Sequence, residues 1–443
     1  MASPRHESKS SDLKKVAVIG GTGFIGYHIV NDLLRQGCSV TVVTRNPPEE
    51  APAEWKKNVT FAKINAQKAK PEEFKAVFTD HQGFVYAAGG DPGDEEFHEK
   101  NVDAVERIMQ GAREAGCDRA VILGSYYTYF ACNEECKFGG ELRQSHTYVA
   151  SRIAQAAAAR KIGGDAITVA VIEIPWVFGV TPGRVSLWKK LIDWANSSKP
   201  LLAPAGGTAA VSVETVAGVA VAALRARSNK NIPVAEGNFT WQQLLNKVGR
   251  TSRTVYPVPS SIMRAIGTIY GTFSAVPGLE VRHFLGKVFT QNLFMDLKQC
   301  RQKEEELGIS HTEGEAMARM EAAFKATIDS CLGSATLKAT PAGAGTLTVF
   351  TSLGTRPSMG IKLIPRVDSY TEFQKKYTTL QSADEKIAAL RSYKLQYPGS
   401  PHIRDINQML LSLQPVATPV ASPLAAVEMY SKSALTMGST SLP

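Results

Sequence analysis

Short apolar runs alternate with amphipathic stretches over residues 13–151 of the chain. The apolar runs are rich in Val and Ile and lack the polar alternation of a half-exposed strand, which is typical of buried parallel strands. Between them, apolar residues recur at helical spacing. Strands are predicted at 16–19, 39–44, 59–62, 83–87 and 120–124, with helices between them. This alternation predicts an α/β fold: a Rossmann-type, doubly wound parallel sheet with helices on both faces.

The pattern becomes more mixed after a sixth predicted strand at 168–174, which suggests a smaller C-terminal, substrate-binding part. Helices are predicted at 184–197, 213–226, 240–249, 295–307 and 312–328. The segment 259–294 is apolar and rich in aromatic and small residues. We expect it to pack in the core, with a substrate cavity or a membrane surface as the alternatives.

The composition changes after Ser330. Residues 334–359 are rich in Gly, Ala, Thr and Ser, which is typical of a linker, and helical periodicity returns at 369–380, 382–397 and 401–413. The chain therefore ends in a separate, partly disordered helical tail. The predicted organisation is a disordered N-terminus (1–12), a nucleotide-binding and substrate domain (13–331), a linker (332–368), a small helical segment (369–413) and a disordered tail (414–443).

Charge and hydropathy exclude several classes of partner. The net charge is +9, but the lysines and arginines are scattered among acids, so no nucleic-acid partner is expected. No stretch approaches the ~20 apolar residues of a membrane span. The first 15 residues lack the apolar core of a secretory signal, so we expect a cytoplasmic location.

The cysteines predict free thiols rather than a disulfide framework or a metal site. Of the six, only Cys132 and Cys136 lie close together in the sequence. In a reducing compartment free thiols are the default. This pair has no second ligand pair at a suitable spacing, so no metal is predicted.

The most informative motif is the sequence VAVIGGTGFIG, which begins at Val16. Its glycines, Gly20, Gly23 and Gly26, follow a predicted strand and precede a predicted helix. In that position glycines allow a tight turn and bring the backbone close to a pyrophosphate at the helix N-terminus. We predict a dinucleotide site; the alternative is a glycine-rich turn that binds nothing.

The end of the second predicted strand favours NADP over NAD. An NAD site usually has an Asp or Glu here that accepts hydrogen bonds from the ribose hydroxyls. This chain has Thr44, Arg45 and Asn46, with no acid before Glu49. A guanidinium pairs well with a 2′-phosphate. NADP is therefore the predicted cofactor, with NAD as the alternative.

Several motifs together resemble the extended short-chain dehydrogenase/reductase family, close to its NAD-dependent epimerase/dehydratase branch. They are Gly20-Gly-Thr-Gly-Phe-Ile-Gly26, Val85-Tyr-Ala-Ala-Gly89, Asn101-Val102, Gly124-Ser125, Tyr148-Val-Ala-Ser-Arg152, Pro175-Trp-Val-Phe-Gly179, Phe239-Thr-Trp241 and Glu306-Leu-Gly308. The resemblance spans about residues 13–331 and leaves out the tail.

The resemblance implies that Ser125, Tyr148 and Arg152 are the catalytic residues. A carbonyl that receives hydride needs a proton donor and a hydrogen-bond donor for its oxygen. A phenol transfers protons poorly at neutral pH unless a nearby cation lowers its pKa. The family has a Lys four residues after the Tyr, whereas this chain has Arg152, which keeps the charge but changes the geometry.

The resemblance also implies which residues contact the cofactor. Backbone N–H groups of Thr22, Phe24 and Ile25 would bind the pyrophosphate, and Asn65 would lie near adenine. The complete predicted set is Gly20, Thr22, Gly23, Phe24, Ile25, Gly26, Thr44, Arg45, Asn65, Ala88, Gly89, Asn101, Tyr148 and Arg152.

Two departures from the family bear on the substrate. Relatives that bind nucleotide sugars carry an Arg just before the segment 209–213, where this chain has alanines, and Ile174 replaces an Arg before Pro175. A diphosphate without these cations would bind poorly. Apolar residues, including Trp176, Phe178 and Trp188, instead favour an uncharged, apolar small-molecule substrate, although such aromatics also serve as core.

The sequence thus predicts an NADP-dependent oxidoreductase that acts on an apolar ketone or alcohol. One alternative is an NAD(P)-dependent epimerase or dehydratase. Another is a regulatory protein that binds NADP without turnover, because Arg152 replaces the family's Lys. A third is a scaffold that recruits a partner through the C-terminal helices. A homo-oligomer is compatible with the sequence.

Overall fold

The computed structural model describes most of the chain up to residue 333. The described residues are 13–48, 52, 55, 57–89, 97–134, 136, 139–145, 147–263, 265, 288–333 and ten isolated positions between 377 and 409. Those up to 333 and those from 377 onward belong to two separate compact units. The second unit buries Leu390 and Ile406. The predicted segments 1–12 and 414–443, nearly all of 332–368 and most of 369–413 lie outside the described residues, as does most of 259–294.

The first unit is built on a seven-stranded parallel sheet. Its strands are β1 (Lys15–Ile19), β2 (Ser39–Thr44), β3 (Val59–Lys63), β4 (Gly83–Tyr86), β5 (Arg119–Leu123), β6 (Thr168–Glu173) and β10 (Asn231–Pro233). The spatial order is β10-β6-β5-β4-β1-β2-β3, and every neighbouring pair is parallel. The order reverses between β1 and β4, so the predicted doubly wound α/β sheet is confirmed.

Helices cover both faces of this sheet. The helices are α1 (Phe24–Arg35), α2 (Pro71–Phe78), α3 (Phe97–Glu114), α4 (Tyr126–Cys132), α5 (Gly139–Ser145), α6 (Thr147–Gly163), α7 (Lys189–Ala195), α8 (Val213–Arg225), α9 (Trp241–Val248), α10 (Leu297–Glu305) and α11 (Glu313–Leu332). Apolar residues of α1 and α8 form one core with the sheet, and those of α2, α3 and α6 form the other. Both strand faces are therefore buried, which explains the continuous Val and Ile runs.

A smaller set of strands forms the C-terminal part. A four-stranded sheet contains β7 (Trp176–Phe178), β9 (Gly207–Ser212), β11 (Gly237–Thr240) and β13 (Asn292–Leu293). A two-stranded sheet contains β8 (Leu201–Pro204) and β12 (Val255–Val258). A third core, made with α4, α7, α9 and α11, packs around these strands.

The predicted helix at 184–197 is wrong at its beginning. The helix α7 starts only at Lys189, because Pro182 and Gly183 form a turn. Gly183 has a φ of +72°, in the left-handed region, and the Arg184 N–H donates to the Thr181 carbonyl at 3.1 Å. A proline followed by a left-handed glycine ends helical continuity.

The aromatic residues expected to line a substrate cavity are core residues. The rings of Trp176 and Trp188 stack at 4.2 Å, and Phe178 stacks on Trp188 at 5.3 Å. All three side chains are buried, and the Trp188 Nε1 donates to the Val177 carbonyl at 2.6 Å. Among the described helices, none has the length and apolar character that a membrane crossing demands.

Candidate dinucleotide and catalytic site

The glycine-rich loop after β1 has a shape that only glycine permits. Gly20 has a φ of +80°, and a Cβ there would lie 2.9 Å from the Ala88 backbone nitrogen. A Cβ on Gly26 would lie 2.1 Å from the Gly20 carbonyl oxygen. The Gly23 N–H donates to that same carbonyl at 2.8 Å and closes the turn. The tight turn predicted from the glycine spacing is present, and the approach of this backbone to a pyrophosphate stays a prediction.

The N-terminus of α1 is suited to an anion. Its first hydrogen bond at this end runs from the Tyr27 N–H to the Gly23 carbonyl at 3.0 Å. Among the described residues, the N–H groups of Phe24, Ile25 and Gly26 have no acceptor. No side chain caps the helix, and its first turn contains no acidic residue. Open donors and the positive end of the helix dipole fit a pyrophosphate.

The other predicted cofactor residues lie along the same edge of the sheet, where the parallel strands end. Thr44 ends β2, and its Oγ1 is 3.1 Å from the Oγ1 of Thr22 in the glycine loop. Arg45 follows it and is exposed. Asn65 lies just beyond β3, where its Oδ1 accepts a hydrogen bond from the Gln67 N–H at 3.1 Å. Ala88 and Gly89 follow β4.

Ser125 follows β5, and Tyr148 lies in the first turn of α6. Ser125 is the N-cap of α4, and its Oγ accepts a hydrogen bond from the Tyr127 N–H at 3.4 Å. The ring of Tyr127 packs edge-on against that of Tyr148, with centroids 6.2 Å apart. Ser125 and Tyr148 are both buried. Tyr127 therefore contacts both predicted residues, Ser125 through its N–H and Tyr148 through its ring.

Arg152 lies one helical turn after Tyr148 and stays beside it. The guanidinium carbon is 5.3 Å from the centroid of the Tyr148 ring, in cation–π geometry. Arg152 is only 4% exposed, and a chain of hydrogen bonds holds its guanidinium in place. Its Nη1 donates to Gln155 Oε1 at 3.1 Å, and Gln155 Nε2 donates to the Asn101 carbonyl at 3.3 Å. Asn101 thus lies at the end of this chain, with the guanidinium between it and the phenol.

Two features of the site were not predicted from the sequence. One is Gln155, which accepts a hydrogen bond from the guanidinium, and the other is the segment 180–184, which packs on the glycine loop. The only local signal for Gln155 is a polar residue three positions after Arg152, on the same side of the helix. The only signal for the segment is its Pro182-Gly183 turn just after β7.

A small cavity of about 160 Å³ lies beside this chain of hydrogen bonds, between α6 and the sheet. It is lined by Ile122, Gly124, Thr128, Cys132, Arg152, Ile153, Gln155, Ala156, Ala157, Arg160, Val171 and Asn231. The buried Glu173 adjoins this group through its Oε1, which accepts hydrogen bonds from Thr128 and Asn231, both at 3.0 Å. Burial raises the pKa of Glu173 to about 7, against the effects of those two donors and Arg160.

The positions that would carry a diphosphate-binding cation in nucleotide-sugar relatives are apolar and buried. Ala209 and Ala210 lie in the interior of β9, and Ile174 follows β6. Within the part of the chain that the structure describes, no group of three or more His, Cys, Asp or Glu residues could hold a metal ion. All six cysteines, including Cys132 and Cys136, are free thiols.

The fold defines a class: a Rossmann-type, doubly wound α/β domain. Residues 16–235 match the model of the NAD dependent epimerase/dehydratase family. This region of the chain therefore belongs to that family, as the sequence motifs predicted.

Individual relatives agree with this assignment. A dTDP-6-deoxy-L-talose 4-dehydrogenase (NAD(P)(+)) of Kitasatospora kifunensis is 36% identical over 120 residues, which are 26% of this chain and 36% of the relative. The match thus spans about a third of that curated relative's length. The name of that dehydrogenase covers both NAD and NADP.

Solved structures share the fold at low identity. The UDP-glucose 4-epimerase of Thermus thermophilus, in complex with NAD, has a TM-score of 0.51 at 17% identity, covering 72% of this chain and 100% of the epimerase. MoeE5 in complex with UDP-glucose and NAD also has a TM-score of 0.51 at 17% identity, covering 71% and 98% of the two chains. At this identity the likeness extends to the fold alone.

Proposed function

We propose that this chain is an NADP-preferring oxidoreductase that transfers hydride between the nicotinamide and an apolar ketone or alcohol. The observation that carries the proposal is the Arg152 guanidinium, whose carbon lies 5.3 Å from the Tyr148 ring centroid. With Ser125, the N-cap of α4, these residues would supply a proton donor, a hydrogen-bond donor and a cation. The glycine loop at the same sheet edge supports a dinucleotide beside them.

In the proposed mechanism, the bound dinucleotide supplies or accepts the hydride. Tyr148 gives its phenolic proton to the substrate oxygen during reduction, or takes one during oxidation. Ser125 donates a hydrogen bond to the same oxygen as charge develops on it. Arg152 places a guanidinium beside the phenol ring. Gln155 holds the guanidinium in place.

The apolar class of substrate is supported by the missing cations. Ala209, Ala210 and Ile174 cannot pair with a diphosphate, and the first two are fully buried. A dianionic diphosphate without cationic partners binds weakly. The side chains of Trp176, Phe178 and Trp188 give no support to an apolar substrate, because they pack in the core.

An epimerase or dehydratase is the second candidate, favoured by the family of residues 16–235. Such an enzyme would use Tyr148 and Ser125 for a transient oxidation and end with its cofactor unchanged. It differs from the first candidate in one measurable respect: no net oxidation or reduction of added dinucleotide accumulates. A third candidate, a protein that binds NADP without turnover, rests on the Arg at position 152.

Turnover of NADPH with a panel of carbonyl compounds, followed by cofactor absorbance, tests the first proposal. Tyr148→Phe should lower turnover by about 10²–10⁴-fold while NADPH affinity stays nearly unchanged, because only the hydroxyl is lost. Arg152→Lys, which restores the family's cation, should retain or raise turnover. Activity that survives Tyr148→Phe, or no turnover by the wild type and Arg152→Lys, contradicts the proposal.

Binding measurements test the NADP preference separately. Because Arg45 is exposed just after β2 and no acid precedes Glu49, NADPH should bind at least about tenfold more tightly than NADH. Arg45→Asp should reverse the order, since a carboxylate repels the 2′-phosphate and accepts hydrogen bonds from a ribose diol. Equal calorimetric affinities of the wild type for the two dinucleotides would contradict this preference.

A further inference from the structure

The segment 180–184, which follows β7, is fastened to the glycine-rich loop and the first turns of α1. The Thr181 Oγ1 donates to the Phe24 carbonyl at 2.9 Å. On α1, the His28 Nε2 donates to the Val180 carbonyl at 2.9 Å. These two bonds hold a segment from the C-terminal half of the fold against the N-terminus of α1. They join residues more than 150 positions apart in the sequence.

Arg184 contacts the glycine loop through one nitrogen of its guanidinium. Its Nε donates to the Thr22 carbonyl at 2.8 Å, in the middle of the glycine loop. Among the described residues, neither Nη atom has a hydrogen-bond partner. The side chain is half-buried, and burial lowers the pKa of the guanidinium from its usual value, yet an arginine remains charged near neutral pH. One nitrogen is therefore engaged by the loop, while two nitrogens and the positive charge remain available beside it.

We propose that Arg184 is a cofactor-binding residue that brings a guanidinium to the pyrophosphate of the dinucleotide. The inference rests on the proposed dinucleotide binding at this loop. Thr22, whose carbonyl fixes Arg184, is also a residue whose N–H is predicted to bind the pyrophosphate. A guanidinium held beside backbone donors forms charge-assisted hydrogen bonds with phosphate oxygens. Thr181 and His28 are positioning residues, because they hold the segment that carries Arg184.

This role differs from that of Arg45. Arg45 would contact the 2′-phosphate, which only NADP carries, whereas the pyrophosphate is common to NADPH and NADH. Loss of Arg184 should therefore weaken both dinucleotides by the same factor, and loss of Arg45 should weaken NADPH alone. Loss of a residue that merely fastened the segment, such as Thr181, would also weaken both dinucleotides, but it would leave the salt dependence of binding unchanged.

The experiment measures the affinities of the full chain for NADPH and for NADH by calorimetry. Four variants are compared with the wild type: Arg184→Gln, Arg184→Lys, Thr181→Val and Arg45→Gln. Arg184→Gln should weaken both dinucleotides by about tenfold and flatten the decrease of affinity with added KCl. Arg184→Lys, which keeps a charge on a similar stem, should lose less. Thermal midpoints without dinucleotide show which variants are folded.

The outcomes separate this inference from the proposed function. If the wild type binds neither dinucleotide, both fail. The inference alone is overturned if the wild type binds and Arg184→Gln matches it within about twofold. Thr181→Val should also weaken binding, because it removes a positioning contact, but it should keep the salt dependence of the wild type. An Arg184→Gln variant with that same salt dependence overturns the inference as well, because the contact would then be structural. If Arg184→Gln does not fold, Arg184→Lys is measured in its place. An affinity and a salt dependence equal to those of the wild type support the role of the charge. A loss of affinity as large as the loss of NADPH affinity in Arg45→Gln contradicts that role.

Discussion

Glu173, the last residue of β6, should set part of the pH dependence of stability. Its side chain is 3% exposed, and burial raises its pKa from 4.5 to about 7. The folded value therefore lies above the unfolded one, so folding favours the protonated acid. The stability that this difference contributes is complete below about pH 4.5 and is lost as the pH rises through about 7.

The magnitude follows from the two pKa values. At ~1.4 kcal/mol per pH unit, a rise from 4.5 to about 7 is worth about 3 kcal/mol, of which about 2–3 kcal/mol falls between pH 5 and 8. Glu173→Gln keeps the size of the side chain and an oxygen that can accept the hydrogen bonds of Thr128 and Asn231. The amide does not titrate. The variant should therefore gain about 2–3 kcal/mol over the wild type as the pH rises from 5 to 8.

Urea unfolding followed by tryptophan fluorescence at pH 5, 6, 7 and 8 measures this difference. Subtracting the two proteins cancels every other titrating group that the substitution leaves unchanged. Glu313→Gln is the matched control, because it removes one negative charge from a side chain that is 77% exposed. If the free energies of unfolding of wild type and Glu173→Gln run parallel with pH, or if the wild type gains at high pH, the reasoning about burial is refuted.

Three other substitutions or truncations test the fold. Gly26→Ala should abolish NADPH binding in a fluorescence titration, because its Cβ would lie 2.1 Å from the Gly20 carbonyl oxygen; retained affinity contradicts this. Trp188→Ala should lower the free energy of unfolding in urea by about 3–5 kcal/mol, since it removes the ring stacked on Trp176. A smaller loss would contradict this and mean that the core around Trp176 closes over the cavity. Residues 1–333 alone should fold and bind NADPH like the full chain; aggregation would place the tail within the domain.

The main sheet could be predicted from the sequence because its strands are buried on both faces. Six predicted strands agree with β1 to β6 to within one or two residues at each end. Local composition carries this information, since a continuous Val and Ile run has few other places in a fold. The seventh strand, Asn231–Pro233, has only three residues, and its pairing with β6 depends on tertiary structure rather than on any local pattern.

The site was predictable only where one motif contains both partners. The tyrosine and Arg152 are one helical turn apart, so their proximity follows from helix geometry. The contact of Arg184 with Thr22 joins positions 162 residues apart, and no periodicity or spacing encodes it. For a related reason, the sequence could not decide whether the aromatic rings line a substrate cavity or pack in the core. Large apolar side chains suit a core and a cavity equally, and only packing decides between them.

The burial of Arg152 bears on whether the chain is an enzyme or only a binding protein. Removing a guanidinium from water costs several kcal/mol unless its partners compensate. Here Gln155, which itself donates to the Asn101 carbonyl, accepts a hydrogen bond from the guanidinium. Arg152 is 4% exposed, and its guanidinium carbon lies 5.3 Å from the centroid of the buried Tyr148 ring. A protein that only bound a dinucleotide would gain little from a charge held beside Tyr148. The buried cation therefore favours the proposed enzyme over the binding protein, even though arginine replaces the family's lysine.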